Sequence, residues 1–319
     1  MRIYAGITDQ NWFDFLRGIR GIDEVNFWQP SSSASFRAIG KGDLFLFKLH
    51  RSQRTRQRDV IAGGGVFSSF STLPISLAWE AFDIRNGASS FSDMRRRLLP
   101  YRRIENDPHE DFKIGCIILT QPFFFEESMW FPAPEWKASI VRGKAKGYEL
   151  GTDAGRFIWK NVQEGLARQG LSDLYLDTRR VEEERARYGK ESVIRPRLGQ
   201  GAFQVAVTDA YARSCAITEE HSLPALEAAH IKPYGEEGPH EVSNGLLLRS
   251  DFHRLFDRGY ITVTPEFRIE ISRRLKEEFA NGRSYYPFHG RRLNHYPQTE
   301  EDRPSRQMLL WHNENRFLG

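Results

Sequence analysis

Short apolar runs set the rhythm of the first 160 residues. "DLFLFKL" (43–49), "VIAGGGVF" (60–67) and "KIGCIIL" (113–119) are each bounded by Gly, Pro or charge, the pattern of buried strands. "DQNWFDFLRGI" and "FSDMRRRLL" are spaced as short helices, each opened by an Asp or Ser cap. Strands at this spacing, with few helices between them, predict a small closed or nearly closed sheet. From 156 to 197 both charge signs become dense and strand patterning fades, which predicts one or two exposed helices joining two domains. The Pro and Gly of "IRPRLGQGAF" then mark the start of the second domain.

In that second domain "RSCAIT" (213–218) and "PALEAAHI" (224–231) are strand-like, and "KPYGEEGPHEVSNG" (232–245) is a turn-rich loop. "LLLR" returns as a short strand, and "SDFHRLFDRG" (250–259) has helical spacing. Ser250 is the expected N-cap, and Gly259 the residue just past the C-terminus. On such a helix His253 and Asp257, four residues apart, project from one face.

A length of 319 residues points to two domains rather than one. An apolar share of 39% and a charged share of 28% exclude a disordered chain and fit a soluble globular protein. The longest apolar runs are too short to span a bilayer, so no membrane partner is expected. The N-terminus shows no basic region followed by an apolar run, so no signal peptide is expected. Two distant cysteines, Cys116 and Cys215, suggest reduced thiols and a cytoplasmic location. The net charge of +4 says little by itself. Its distribution says more: Arg51, Arg54, Arg56 and Arg58 crowd into "RSQRTRQR", and a second cluster fills "MRRRLLPYRR". Such segments make either phosphate contacts or solvated loops.

The order strand, loop, strand, helix, with "AHI", Asn244 in "SNGLLL" and His253 in "RSDFHRLFD", resembles the HNH endonucleases and their ββα-metal site. "RLGQGAF", "CAIT" and "SYYPFHG…WHNENRF" extend the likeness to the restriction-enzyme variant of that family, over about residues 195–319. The resemblance implies a catalytic set of His230, Asn244 and His253. His230 would be the general base that deprotonates water, and His253 a ligand to one divalent ion, Mg²⁺ or Mn²⁺. Asn244 would hold loop and strand so that His230 faces the metal. Asp257 would either complete the metal shell or cap neighbouring backbone.

Two departures from the family pattern stand out. Many HNH enzymes carry a metal-binding Asp or His just before the base, where this chain has Ala229. That leaves His253, Asp257 and water to hold the ion, a site that binds weakly until substrate phosphate completes it. Paired CxxC motifs are also absent, so structural zinc is not expected, and Cys215 is read as a small core residue. His240, in a Gly/Pro loop, is expected to be exposed, with a phosphate contact as the alternative.

In the N-terminal domain, "VNFWQPS", "IGKGDLFLFKL" and "IAGGGVF" resemble the EVE members of the PUA-like fold, which include readers of modified bases. That likeness implies a base-flipping pocket with aromatic walls, for which Trp28, Phe36 and Trp79 are the candidates, although each taken singly reads more readily as barrel core than as base platform. Arg51, Arg54, Arg56 and Arg58 would then grip phosphates around the flipped nucleotide. The expected fold class is α+β: a PUA-like β-barrel with flanking helices (1–160), a charged helical linker (161–197) and a ββα-metal HNH domain (198–319). The expected activity is that of a modification-dependent restriction endonuclease acting on double-stranded DNA with 5-methyl- or 5-hydroxymethylcytosine. Cutting both strands takes two sites or two encounters, which points to a homodimer. The rivals are an HNH enzyme reading unmodified DNA and an inactive nucleic-acid-binding protein.

Overall fold

One mixed sheet dominates the N-terminal part, built around two long antiparallel strands. The computed structural model describes residues 2–30, 35–49, 59–101, 110–136, 145–171 and 198–319. The chain divides into two units, Met1–Gly199 and Gln200–Gly319. In the first, the strands are β1 (Arg2–Thr8), β2 (Glu24–Gln29), β3 (Leu44–Leu49), β4 (Val60–Pro74), β5 (Lys113–Phe124), β6 (Phe131–Pro132) and β7 (Lys146–Glu149). The helices are α1 (Gln10–Arg17), α2 (Ile75–Phe82), α3 (Phe91–Leu98) and α4 (Asp153–Arg168).

The sheet order is β2-β5-β4-β3-β1-β7, with β6 pairing to β4. β1 and β3 run parallel and the other pairs antiparallel. Among the described residues the end strands β2 and β7 do not pair, so the sheet is open and the expected closed barrel is not formed. β4 bends through two register shifts against β5, between Gly64 and Val66 and between Phe67 and Ser69. The glycines of "AGGG" permit this: a Cβ on Gly63 would lie 2.3 Å from the Phe123 carbonyl oxygen, and one on Gly64 would lie 2.6 Å from that of Phe45.

The expected strands at 43–49, 60–67 and 113–119 all fall within β3, β4 and β5, the last two running longer than their apolar cores. α1 is capped by Asp9, whose side chain accepts from the Trp12 N–H, and α3 by Ser90. The region from 156 onward differs from its expected exposed-linker character. α4 runs to Arg168 with Ile158, Val162 and Leu166 buried in the N-terminal core, and Gly165 lets it close on the Phe125 ring. Residues 172–197 lie outside the described residues.

The second unit comprises α5 (Gln200–Ala210), β8 (Leu226–His230), β9 (Gly245–Arg249), α6 (Ser250–Asp257), β10 (Ile261–Val263), β11 (Ile269–Ile271), α7 (Arg274–Phe279) and α8 (Arg306–Asn315). β8 and β9 form an antiparallel hairpin, and β10 and β11 form another. Its core includes Phe203, Leu246, Leu247, Leu248, Phe252, Phe256 and Leu309, all 1% exposed or less. Residues 213–218 are not a strand. Ala212 and Arg213 take positive φ of 50° and 62°, which breaks an extended run. Cys215, Ala216 and Ile217 are buried instead as an irregular segment, tied to β9 by the Ala216 N–H on the Leu247 carbonyl. The Cys215 Sγ accepts from the backbone N–H of Thr218 and of Arg249.

Candidate active site

The hairpin and the helix after it bring the chemistry together. His230 ends β8 and pairs in register with Gly245, which opens β9. Gly245 is needed here, since a Cβ would meet Val207 of α5 at 2.4 Å. The loop between the strands is closed by Asn244, which is fully buried. Its Oδ1 accepts from the Lys232 N–H at 2.9 Å, and its Nδ2 donates to the carbonyls of Lys232 and Pro239, both at 2.9 Å. The Asn244 carbonyl in turn accepts from the Ile231 N–H. One side chain thus fixes both ends of the loop beside His230.

The His230 ring lies flat on Phe203 of α5, with centroids 3.9 Å apart and planes at 14°. Its Nε2 is 3.0 Å from the Nδ1 of His240, whose ring stacks on Tyr234 at 4.4 Å. Burial pushes the His230 imidazole down to about 4, helped by the neighbouring His240 and His253. His230 is therefore neutral near pH 7 and keeps a lone pair. The expectation of an exposed, bystander His240 is corrected: Asn244 holds the Pro239 carbonyl, and so returns the next residue onto His230.

α6 presents two faces one residue apart. Phe252 and Phe256 point inward and are fully buried, while His253 and Asp257 follow each by one step of the helix. Arg249 occupies the N-cap without a side-chain bond, and Ser250 is the first helical residue rather than the cap. Gly259, with φ of 76°, stands just past the end as expected. His253 Nδ1 lies 2.6 Å from Glu227 Oε2, and its Nε2 lies 3.3 Å from Asp257 Oδ2. Burial, with Glu227 nearby, raises the Asp257 carboxyl above its usual range despite His253.

Glu227 is a residue the sequence reading missed. It is an acid inside the apolar stretch "PALEAAHI", and such an acid needs a partner. Ala229, by contrast, is fully buried and adds no ligand. The geometry also tests the fit of a divalent ion. A carboxylate accepts, so the Glu227 contact favours the tautomer with the imidazole proton at Nδ1. Nε2 then faces the Asp257 oxygen at 3.3 Å, a pairing of imidazole and carboxylate that can hold a cation between them. The donor set of one imidazole and one carboxylate fits a divalent ion that fills its remaining positions with water and phosphate. Among the described residues no three His, Cys, Asp or Glu side chains converge on a single metal position.

A second concave feature lies in the N-terminal unit. A cavity of about 500 Å³ is walled by Tyr4, Trp12, Phe27, Trp28, Phe45 and Tyr101, among others. Trp28 is held by its indole N–H on the Asn86 carbonyl at 2.9 Å. Trp12 is 2% exposed, and its indole N–H has no hydrogen-bond partner among the described residues. Phe36 stands behind the wall, edge-on to Tyr4 at 5.0 Å, and is not itself in the lining. Trp79 is elsewhere: α2 turns it toward Phe91 of α3, 6.4 Å away. Arg51, Arg54, Arg56 and Arg58 lie outside the described residues. Among the described residues no helix is long and apolar enough to cross a membrane.

Residues 215–264 match the family model described as HNH_2, HNH endonuclease. That span contains every polar residue of the hairpin–helix site, and it supports reading the C-terminal unit as an HNH-type DNA endonuclease domain. No curated protein matches the chain. Among solved structures, the "Modification dependent TagI restriction endonuclease" matches with a TM-score of 0.30 and 11% identity, covering 99% of this chain and 81% of that one. At that score the likeness transfers neither fold nor substrate.

Proposed function

We propose that this protein is a modification-dependent restriction endonuclease. Its N-terminal unit is an EVE/PUA-like reader that takes up a flipped 5-methyl- or 5-hydroxymethylcytosine, and its HNH unit cuts the DNA nearby as part of a homodimer. The observation that carries the nuclease half is a neutral His230 beside a helix that offers His253 and Asp257.

In this reading His230 takes a proton from water, whose oxygen forms a bond to phosphorus as the bond to the leaving oxygen breaks. Asn244 fixes the loop, and Phe203 the ring plane, so the imidazole is held rather than searching. Glu227 holds His253 in the Nδ1–H form, leaving Nε2 for coordination beside Asp257. His253 and Asp257 would hold a divalent ion, Mg²⁺ or Mn²⁺, which would supply stabilisation of charge on the leaving oxygen. The imidazole in the donor set favours Mn²⁺ of the two.

The reader half is supported by the aromatic cavity. Trp28, anchored through Asn86, offers a fixed stacking face in this wall. Arg51, Arg54, Arg56 and Arg58 supply phosphate contacts in the same reading. The test is binding by the full-length His230→Ala protein to duplexes carrying one cytosine, 5-methylcytosine or 5-hydroxymethylcytosine. A 2-aminopurine beside that base reports flipping. Tighter binding with a fluorescence rise on a modified duplex is expected, and identical titrations on all three discard the reader.

A further inference from the structure

Four rings are stacked and bonded in sequence beside the hairpin: Phe203, His230, His240 and Tyr234. Phe203 covers one face of His230 at 3.9 Å, and Tyr234 covers one face of His240 at 4.4 Å. The two imidazoles meet at 67°, edge toward face, with the single N–N contact of 3.0 Å between them. Phe203 is 1% exposed, whereas Tyr234 is 67% exposed, so the pair runs from the core toward solvent.

That contact decides what His230 can do. A hydrogen bond between two neutral imidazoles needs one proton and one lone pair. If the proton belongs to His240 Nδ1, the lone pair of His230 Nε2 is consumed and its own proton sits on Nδ1, leaving no basic nitrogen. If it belongs to His230 Nε2, then His230 Nδ1 is bare and can accept a proton. We infer that His240 is the positioning residue that holds His230 in the Nε2–H tautomer, by accepting that hydrogen bond at its own Nδ1. The inference rests on His230 as the base.

The same bond assists the step itself. When Nδ1 of His230 takes the proton of the attacking water, the ring becomes an imidazolium with Nε2–H still donated to His240. While His240 is neutral, its Nδ1 acceptor offsets part of the cost of that charge, whereas a charged His240 would oppose it. The proton taken from water stays on His230, and the electron pair of the broken bond leaves with the departing oxygen. Stacking on Tyr234 fixes the plane of His240, and Asn244, through Pro239, fixes its backbone.

The experiment compares His230→Ala, His240→Phe and His240→Asn in the full-length protein, cutting plasmid DNA with Mn²⁺. Phenylalanine keeps the ring stack and removes the acceptor, and the asparagine side chain places an oxygen near the position of Nδ1. His240→Phe is expected to lower kcat about 10- to 100-fold, less than loss of the base itself, with KM for DNA and Tm unchanged. His240→Asn should restore kcat to within about threefold of wild type. ¹⁵N spectra of histidine-labelled wild-type protein should show His230 protonated at Nε2 and bare at Nδ1. Wild-type kcat in His240→Phe, equal losses in His240→Phe and His240→Asn, or an Nδ1–H His230 would each overturn the inference while His230→Ala stays inactive. Full cleavage by His230→Ala would instead remove the base assignment itself, and this inference with it.

Discussion

In the C-terminal unit all six polar side chains of the site fall between Glu227 and Asp257, on one hairpin and the helix that follows it. In the N-terminal unit the cavity walls come from β1, α1, β2, β3 and β5, with Tyr101 and Ala145 outside these elements. The first arrangement is set by local geometry: strand register, one buried Asn and helical spacing. The second exists only when a whole sheet has folded. A local site can be dismantled one role at a time, and a distributed one answers to packing as much as to chemistry.

The largest effect is expected at the base. His230→Ala should lower kcat for plasmid nicking by about 10²–10⁴-fold while DNA binding persists. Near-normal nicking would break the comparison at its stronger end. Acid should act next, through the fold of the same unit. Burial holds His312 down at about 4, where it bonds Thr262 and the Phe256 carbonyl and stacks on Phe256 of α6. The unfolded chain takes up this proton near its ordinary value of about 6.5 and the folded chain does not. Stability is thus fully present above that pH and falls as pH drops toward 4, by about 3 kcal/mol at most for this group. Denaturant midpoints measured between pH 7 and 4.5 would show the fall, and a flat profile would contradict it.

A smaller change is expected in metal use. His253→Ala should raise the Mn²⁺ concentration for half-maximal cleavage about 10- to 100-fold, and Glu227→Gln by about tenfold. Titrating Mn²⁺ against nicking rate measures both, and an unchanged curve for Glu227→Gln would remove its orienting role. A further effect is expected at the N-terminal cavity, where Trp28→Ala should cost about 1–3 kcal/mol of preference for modified DNA. Trp79→Ala, outside the lining, should cost none; competition binding separates the two.

The difference between the units also explains what could be read from sequence. His230, Asn244, His253 and Asp257 were legible because helix spacing and one turn-rich loop place them without help from distant residues. Glu227 was not, because reading "PALEAAHI" as a strand says only that it faces away from its neighbours, and α6 supplies the partner. His240 was hidden because a Gly/Pro loop ordinarily points to solvent, and only the bonds of Asn244 show where this one returns. In the N-terminal unit the apolar runs located β3, β4 and β5, but not which aromatics share a wall. Trp28 lines the cavity, while Trp79 belongs to a helix whose direction follows from the end of β4.

The most direct measurement is cleavage of one plasmid, unmodified or carrying 5-methylcytosine or 5-hydroxymethylcytosine, by the full-length protein with Mg²⁺ or Mn²⁺. Cutting confined to a modified plasmid and abolished by His230→Ala is the predicted result. Equal cutting of all three plasmids would contradict the account, leaving the nuclease and removing the reader.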